Sequence, residues 1–484
     1  MKGVSILLAC VVLAGCASAP YHAPDMPMPS AYREAGNTVH QVITQDWWKA
    51  YQDETLNTLI ARIDAGSPTL MKSIALLHDA RAQVAAARAD YFPTIGAGAS
   101  VTSTHLSANV LGHSLAGRTT PDHLLGLGAS WEPDLFGRIG RNVDAAKDRE
   151  QASVDDVAAV RLALQAEIAI EYFGIRSLDR EAALLQRTIA TYEAVLQLTE
   201  NRYRGGITAE SDVDQARSQL ETTRTKLADA QLARTQLLHA LATLVGEPAT
   251  SFSVPDENDR QRFQVPPTPD AVPATLLQRR PDIAAAERRV AAANAQIGVA
   301  RAAFFPTLML NLNGGLESSG LAGWLTAPSR FWAVGPALAA TLFDGGKREA
   351  GVDSARAQFD ASAADYRDTV LKAVQDVEDN YAALRILADE SRSQETAVAA
   401  SERALQQVTE RYRLGAVAYL DVSVVQATTL DNLRALESIH RRQLAASVSL
   451  YRALGGGWNV SDHGQPNASK RPDALRPAGH VETQ

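Results

Sequence analysis

Two periodicities alternate along this chain, and each occurs twice. Ile95, Ala97, Ala99 and Val101 alternate with Gly96, Gly98, Ser100 and Thr102, and Leu125, Leu127, Ala129 and Trp131 with Gly126, Gly128, Ser130 and Glu132. Further on, Leu308, Leu310 and Leu312 alternate with Met309, Asn311 and Asn313, and Trp332, Val334, Leu338 and Leu342 with Ala333, Gly335, Ala337 and Thr341. A period of two is that of a strand with one oily and one wetter face. Four strands are predicted, over about 91–105, 122–135, 304–317 and 330–343. The alternation alone fits a membrane barrel as well as a soluble sheet resting on a core.

The second pattern is helical and very long. From about Arg141 to Arg204 there is no proline and Gly174 is the only glycine, so one helix of some sixty residues would reach about 90 Å at a rise of 1.5 Å per residue. Val157, Val160, Leu164 and Ile168 form one apolar stripe, while Leu162, Ala166, Ala169 and Phe173 form a second. Such a helix buries two flanks, as in a wall of neighbours, where a two-stranded coiled coil would show a single seam. Long helices are predicted over 138–204 and 208–246, and again over 347–413 and 417–454.

The two halves are copies. Arg202-Tyr203-Arg204-Gly205-Gly206 falls on Arg411-Tyr412-Arg413-Leu414-Gly415 at an offset of 209, which also carries Asp212-Val213 onto Asp421-Val422 and Val143-Asp144 onto Val352-Asp353. Tyr91-Phe92-Pro93-Thr94 matches Phe304-Phe305-Pro306-Thr307 at an offset of 213. A unit of this length is not a short solenoid repeat. The first copy spans 51–247 and the second 276–455. Between them residues 248–275 hold Pro248, Pro255, Pro266, Pro267, Pro269 and Pro273, which forbid regular helix. Residues 16–50, with Asp46-Trp47-Trp48, read as an extended surface lead, and the polar 456–484 as a disordered tail.

The N-terminus changes the picture. Lys2, an apolar run from Val4 to Leu13 and then Leu13-Ala14-Gly15-Cys16 make a secretory signal over 1–15, too short to span a bilayer. The string resembles the bacterial lipobox, which makes Cys16 the lipidated first residue of the mature protein. Ala17 in place of Asp implies sorting to the outer membrane. Several acyl chains, each buried CH₂ worth about 0.8 kcal/mol, make a durable anchor. Cys10 leaves with the signal, so no internal disulfide is possible. Removing Lys2 from the 47 basic residues leaves 46 against 55 acidic ones, a net charge of −9 that disfavours nucleic acid. No run of eighteen apolar residues occurs, so any membrane passage must use strands.

Four strands cannot close. Even a filled barrel needs about eight, and an open edge is not tolerated in lipid. Two copies would fill their own interior, whereas three give twelve strands and room for water. No catalytic constellation is present: there is no His-Glu-x-x-His, Gly-x-Ser-x-Gly or phosphate loop. Gly126-Leu127-Gly128 and Gly345-Gly346-Lys347 lack the spacing of phosphate-binding loops. An enzyme, a bound cofactor and a metal site are not expected; the covalent lipid on Cys16 is the one added group.

Tyr91-Phe92-Pro93, Arg279-Arg280-Pro281-Asp282-Ile283 with Ala286-Glu287, Phe305-Pro306-Thr307, Leu342-Phe343-Asp344-Gly345-Gly346 and both Arg-Tyr-Arg turns resemble the outer-membrane efflux family. The similarity is to TolC-like channels, in their NodT/OprM-like lipoprotein branch, and covers nearly all of residues 13–455. It implies an α+β membrane protein: a homotrimer with a twelve-stranded outer-membrane β-barrel, four strands per chain, continued by a long periplasmic α-helical barrel with an equatorial domain. The implied role is the exit duct of a tripartite efflux system for drugs or other small toxic solutes, with a periplasmic adaptor and an inner-membrane RND pump as partners. A protein-secretion duct shares the tube, and a structural envelope lipoprotein with coiled coils is the rival from another class.

On that resemblance the turns around Arg204–Ser211 and Arg413–Leu420 close the idle tube, with Asp212, Arg411, Tyr412, Arg413, Leu414, Tyr419 and Asp421 as gate candidates. Gly206 and Gly415 allow the positive φ of a helix end. Asp212 and Asp421 read either as helix N-caps or as pore-lining acids, Asp421 forming a ring that pairs across subunits with Arg411 or Arg413. Some family members carry a basic residue and a second acid where this chain has Val417 and Val424. Leu414 and Tyr419 are therefore expected to constrict the gate by bulk and dewetting.

Overall fold

The computed structural model describes residues 21–36, 38–39, 42–109, 112, 114–255 and 263–460. Cys16 and residues 461–484 lie outside them. The chain divides into two compact units, one comprising Ser73–Asp155 and Ala285–Thr369 with the stretch up to Met26, the other Pro27–Lys72, Asp156–Ala284 and Val370–Gln484.

The first unit holds all four strands: β1 (Thr94–His105), β2 (Thr119–Trp131), β3 (Thr307–Ser318) and β4 (Arg330–Ala339). They form one antiparallel sheet in the order β1-β2-β3-β4, so β1 and β4 are its edges. The register sets Ala97 opposite Leu127, Ala129 opposite Leu312 and Leu312 opposite Val334, which gathers the apolar residues on one exposed face. Gly96, Gly98, Ser100, Asn311, Asn313 and Gly335 share the other face, small and polar. Ten to thirteen residues per strand are enough to cross the roughly 25 Å apolar band of an outer membrane.

Four of the strand ends fall short of the expected ranges for one reason. Pro93 and Pro306 have no N–H, so β1 and β3 open only at Thr94 and Thr307. Ala339 pairs with Thr307, so β4 runs out of partners there, and β2 loses β1 after Ser130, which pairs with Thr94, keeping only Trp131 against Leu310 of β3; Leu342 and Phe343 lie beyond the sheet and are exposed.

The helices are α1 (Glu54–Ala61), α2 (Pro68–Ala89), α3 (Arg138–Arg204), α4 (Glu210–Val245), α5 (Pro281–Ala302), α6 (Lys347–Arg413) and α7 (Tyr419–Ala453). α3 and α6 are each 67 residues, about 100 Å long, and α2 and α5 are each 22. None of the described helices is apolar enough to cross a membrane. Acidic side chains start both long helices. Asp134 accepts from the backbone N–H of Ile139 (3.1 Å) and Gly140 (2.7 Å). Asp344 accepts from the N–H of Gly346 (3.1 Å) and Arg348 (3.2 Å) and from Arg348 Nε (2.6 Å). The Arg348 guanidinium and these amides hold the Asp344 carboxyl below its usual range.

In the second unit, both stripes of α3 are buried apart from the half-buried Val160, and Tyr172 through Leu178 are buried all round. The lead differs from its expected extended surface course: Trp47–Tyr51 form a 3₁₀ turn, and Trp47, only 2% exposed, stacks on Tyr451 at 5.6 Å. Two adjacent indoles bury too much apolar area to stay on the surface. Tyr51 packs on Phe173 at 5.0 Å and bonds Ser447 at 2.8 Å. Asp53 caps α1 by accepting from Leu56 N–H (2.7 Å) and also accepts from the Tyr172 hydroxyl (2.7 Å). The tail also begins differently, since Gly456 is buried and leaves no room for a Cβ, which would lie 2.3 Å from Leu162.

The copies share a joint. Gly246 after α4 and Gly455 after α7 both have positive φ, and a Cβ on either would lie 1.9 Å from a carbonyl oxygen, of Gly66 and Arg279 respectively. Arg280 secures the second joint. It grips Asp282 with two bonds (3.0 and 2.6 Å) and reaches Asp376 of α6 and the Ala453 carbonyl of α7, each at 3.3 Å. The Arg-Arg-Pro-Asp-Ile segment is thus a structural clasp.

Candidate functional site

The two Arg-Tyr-Arg turns lie in the second unit, and the same backbone device ends α3 and α6. Gly206 (φ 70°) donates to Tyr203 O and Ile207 to Arg202 O, both at 2.9 Å; Gly415 (φ 75°) donates to Tyr412 O at 2.9 Å and Ala416 to Arg411 O at 2.8 Å. This is a Schellman end, in which glycine supplies the left-handed residue without steric cost.

The expected N-capping by Asp212 and Asp421 is corrected here. The cap positions are Ala209 and Ala418, neither giving a side-chain bond, and both acids sit at the third helical position. There they still favour the positive end of the helix. Asp212 accepts a bond from the Thr208 hydroxyl, so its side chain turns back along the loop. Asp421 is exposed.

The other candidates separate into a packed group and a presented group. Tyr412 and Tyr419 are buried with Ala216 and Val422, their rings 5.8 Å apart, with Val195, Leu196, Val408 and Val417 packed around them. Val417 therefore belongs to this apolar cluster. Tyr412 also shares a hydrogen bond of 3.2 Å with Thr199. Burial pushes the Tyr419 hydroxyl above its ordinary range, keeping it neutral. Tyr419 is thus a core residue of its own protomer, contrary to its expected place in the constriction. Leu414, at 83% exposed, is presented, as are Arg411 and Arg413, the latter paired with Glu410 at 2.8 Å.

One residue absent from the sequence-based candidates joins the two copies. Arg202 donates through Nη1 to Tyr412 O (3.1 Å) and through Nη2 to Arg413 O (3.0 Å), and its guanidinium lies 4.5 Å from the Tyr412 ring centroid. It neutralises the terminal carbonyls of α6 while stacking on an aromatic face. Its position in a repeated Arg-Tyr-Arg was the available signal; that it reaches across to the other copy was not readable.

These placements separate the two constriction ideas by experiment. Tyr419→Ala empties a packed aromatic site and should cost about 3 kcal/mol locally, loosening hydrogen-exchange protection over 408–422. Leu414→Ala should leave that protection unchanged and act only on idle leak current. If neither substitution alters leak while Asp421→Ala opens it, hydrophobic constriction fails.

The model of the family "Outer membrane efflux protein" matches residues 59–247 and 272–456, the two copies. The chain is similar to the antibiotic efflux pump outer membrane protein ArpC of Pseudomonas putida, 31% identical over 96% of this chain and 97% of that protein. OprJ of Pseudomonas aeruginosa, an outer membrane protein, is 31% identical over 94% and 96%. Among solved structures the outer-membrane channel OprN superposes with a TM-score of 0.85 at 28% identity, covering 92% of this chain and 99% of that one. Duplicated helical arms, a four-stranded antiparallel contribution to a barrel and the match to both copies agree: this chain belongs to the outer membrane efflux protein family, a family of channels rather than enzymes, with a TolC-like fold that sits in the outer membrane and extends into the periplasm.

Proposed function

We propose that this protein is the passive exit duct of a tripartite efflux system, working as a homotrimer that receives drugs or other small toxic solutes from a periplasmic adaptor and an inner-membrane RND pump. The observation that carries this reading is the sheet with two unsatisfied edges. β1 and β4 each pair on one side only within the chain, while one face of the sheet exposes Ile95, Leu127, Trp332, Val334 and Leu338. An apolar face suits lipid, but open backbone edges do not, and joining β4 of one copy to β1 of the next removes them. Three copies give twelve strands and a water-filled interior lined by the glycine, serine and asparagine face.

Small toxic solutes are the proposed cargo because ArpC and its kind serve antibiotic efflux. A lipid on Cys16 would hold the duct's N-terminus at the membrane. On this reading the partner pump supplies the energy for transport. The test is direct: purified protein in a planar bilayer should conduct, and deleting the gene should sensitise the cell to drugs while the adaptor and pump remain expressed. A silent bilayer would favour a structural lipoprotein, and unchanged drug susceptibility with lost protein export would favour a secretion duct.

A further inference from the structure

The two copies are alike in sequence at their turns but not in what they touch. Arg202 is engaged on the end of α6; its counterpart Arg411 is exposed and meets no side-chain partner among the described residues. The carbonyl ends differ in the same way. Those of Tyr412 and Arg413 accept from Arg202, whereas the equivalent ones of Tyr203 and Arg204 receive no side-chain donor among the described residues. Tyr412, only 4% exposed, lies with its ring beneath a guanidinium; Tyr203 is 44% exposed. One clamp is formed, and both halves of a second, Arg411 and the Tyr203–Arg204 carbonyls, are left open.

We infer that Arg411 completes this second clamp on another copy of the chain, donating to the carbonyl oxygens of Tyr203 and Arg204 of the partner subunit and lying over that Tyr203 ring. The occupant is fixed by the internal duplication. In a closed ring each first copy follows a second copy, so the sense in which Arg202 reaches forward within a chain is the sense in which Arg411 reaches the next chain. A guanidinium offers two parallel N–H donors and a flat face together, which an ammonium cannot. The turns would then form an unbroken belt of six clamps, three within and three between subunits. The inference rests on the trimer reading above.

Two measurements test it. Cys10 and Cys16 are the only native cysteines, so added pairs report cleanly against the parent protein. With a short bismaleimide, Arg411→Cys combined with Arg204→Cys should give covalent dimers and trimers, whereas Arg202→Cys with Arg413→Cys should cross-link within one chain and run as a monomer. Absence of intersubunit product in a preparation that native mass spectrometry shows to be trimeric overturns the clamp and leaves the duct intact; an oligomer other than a ring of three overturns both. In a planar bilayer, Arg411→Ala should raise the idle open fraction about tenfold, and Arg411→Lys should recover only part of it. Full recovery by lysine, or no change with alanine, would contradict a two-donor clamp.

Discussion

Arg202→Ala is expected to turn an idle channel into a leaking one without unfolding the protomer. The side chain supplies two charge-assisted bonds to the last carbonyls of α6 and covers the Tyr412 ring at 4.5 Å. Discounted for its half-buried position, this amounts to about 2 kcal/mol per subunit, or roughly a thirtyfold gain in the open-to-closed ratio for each clamp lost if the clamp exists only in the closed state. Arg202→Lys keeps the charge at the helix end but loses the fork, so its effect should be intermediate. Single-channel recording gives the open fraction, and hydrogen exchange over 408–416 should report the released turn. A variant that conducts like the parent would show that the clamp merely accompanies closure.

The second large effect is expected at Arg280. Its side chain is 11% exposed and ties Asp282 to Asp376 and to the Ala453 carbonyl. Arg280→Ala leaves the two acids without their cation and should cost about 3 kcal/mol, lowering the denaturant midpoint of the extracted protein. Removing Asp282 as well should cost less than the two single changes together, because the carboxylate left unpaired by the first is then gone. Strict additivity would mean that the clasp is not a unit. Channel conductance should be unaffected in the fraction that folds, which separates this residue from Arg202.

Much of the fold was legible because the repeat is long and its punctuation strong. The absence of proline from Arg141 to Arg204 and the paired turn glycines define α3 and its end, and the same spacing places α6 and its end 209 residues later. Strand ends were less legible, since an alternating side-chain pattern carries no information about where the partner strand stops; Pro93 and Pro306 decide that through the register. The site was partly legible. Leu414 and Asp421 are presented as expected, but Tyr419 was misplaced because a tyrosine next to a turn looks the same in sequence whether it faces the turn or the core. The capping reading of Asp212 and Asp421 failed by three positions, a distance that local composition does not resolve when the true caps are alanines. Arg202 reaches 211 residues along the sequence and Arg280 reaches 173, and only the folded chain brings their partners together.

The central claim is that one protomer supplies four of the strands of a closed wall and that three protomers complete it. Native mass spectrometry combined with imaging of the detergent-extracted particle tests this most directly. The account predicts a mass of three chains, a threefold axis and a central water-filled passage. A stable monomer with both sheet edges covered from within, or a particle of any other symmetry, would contradict it.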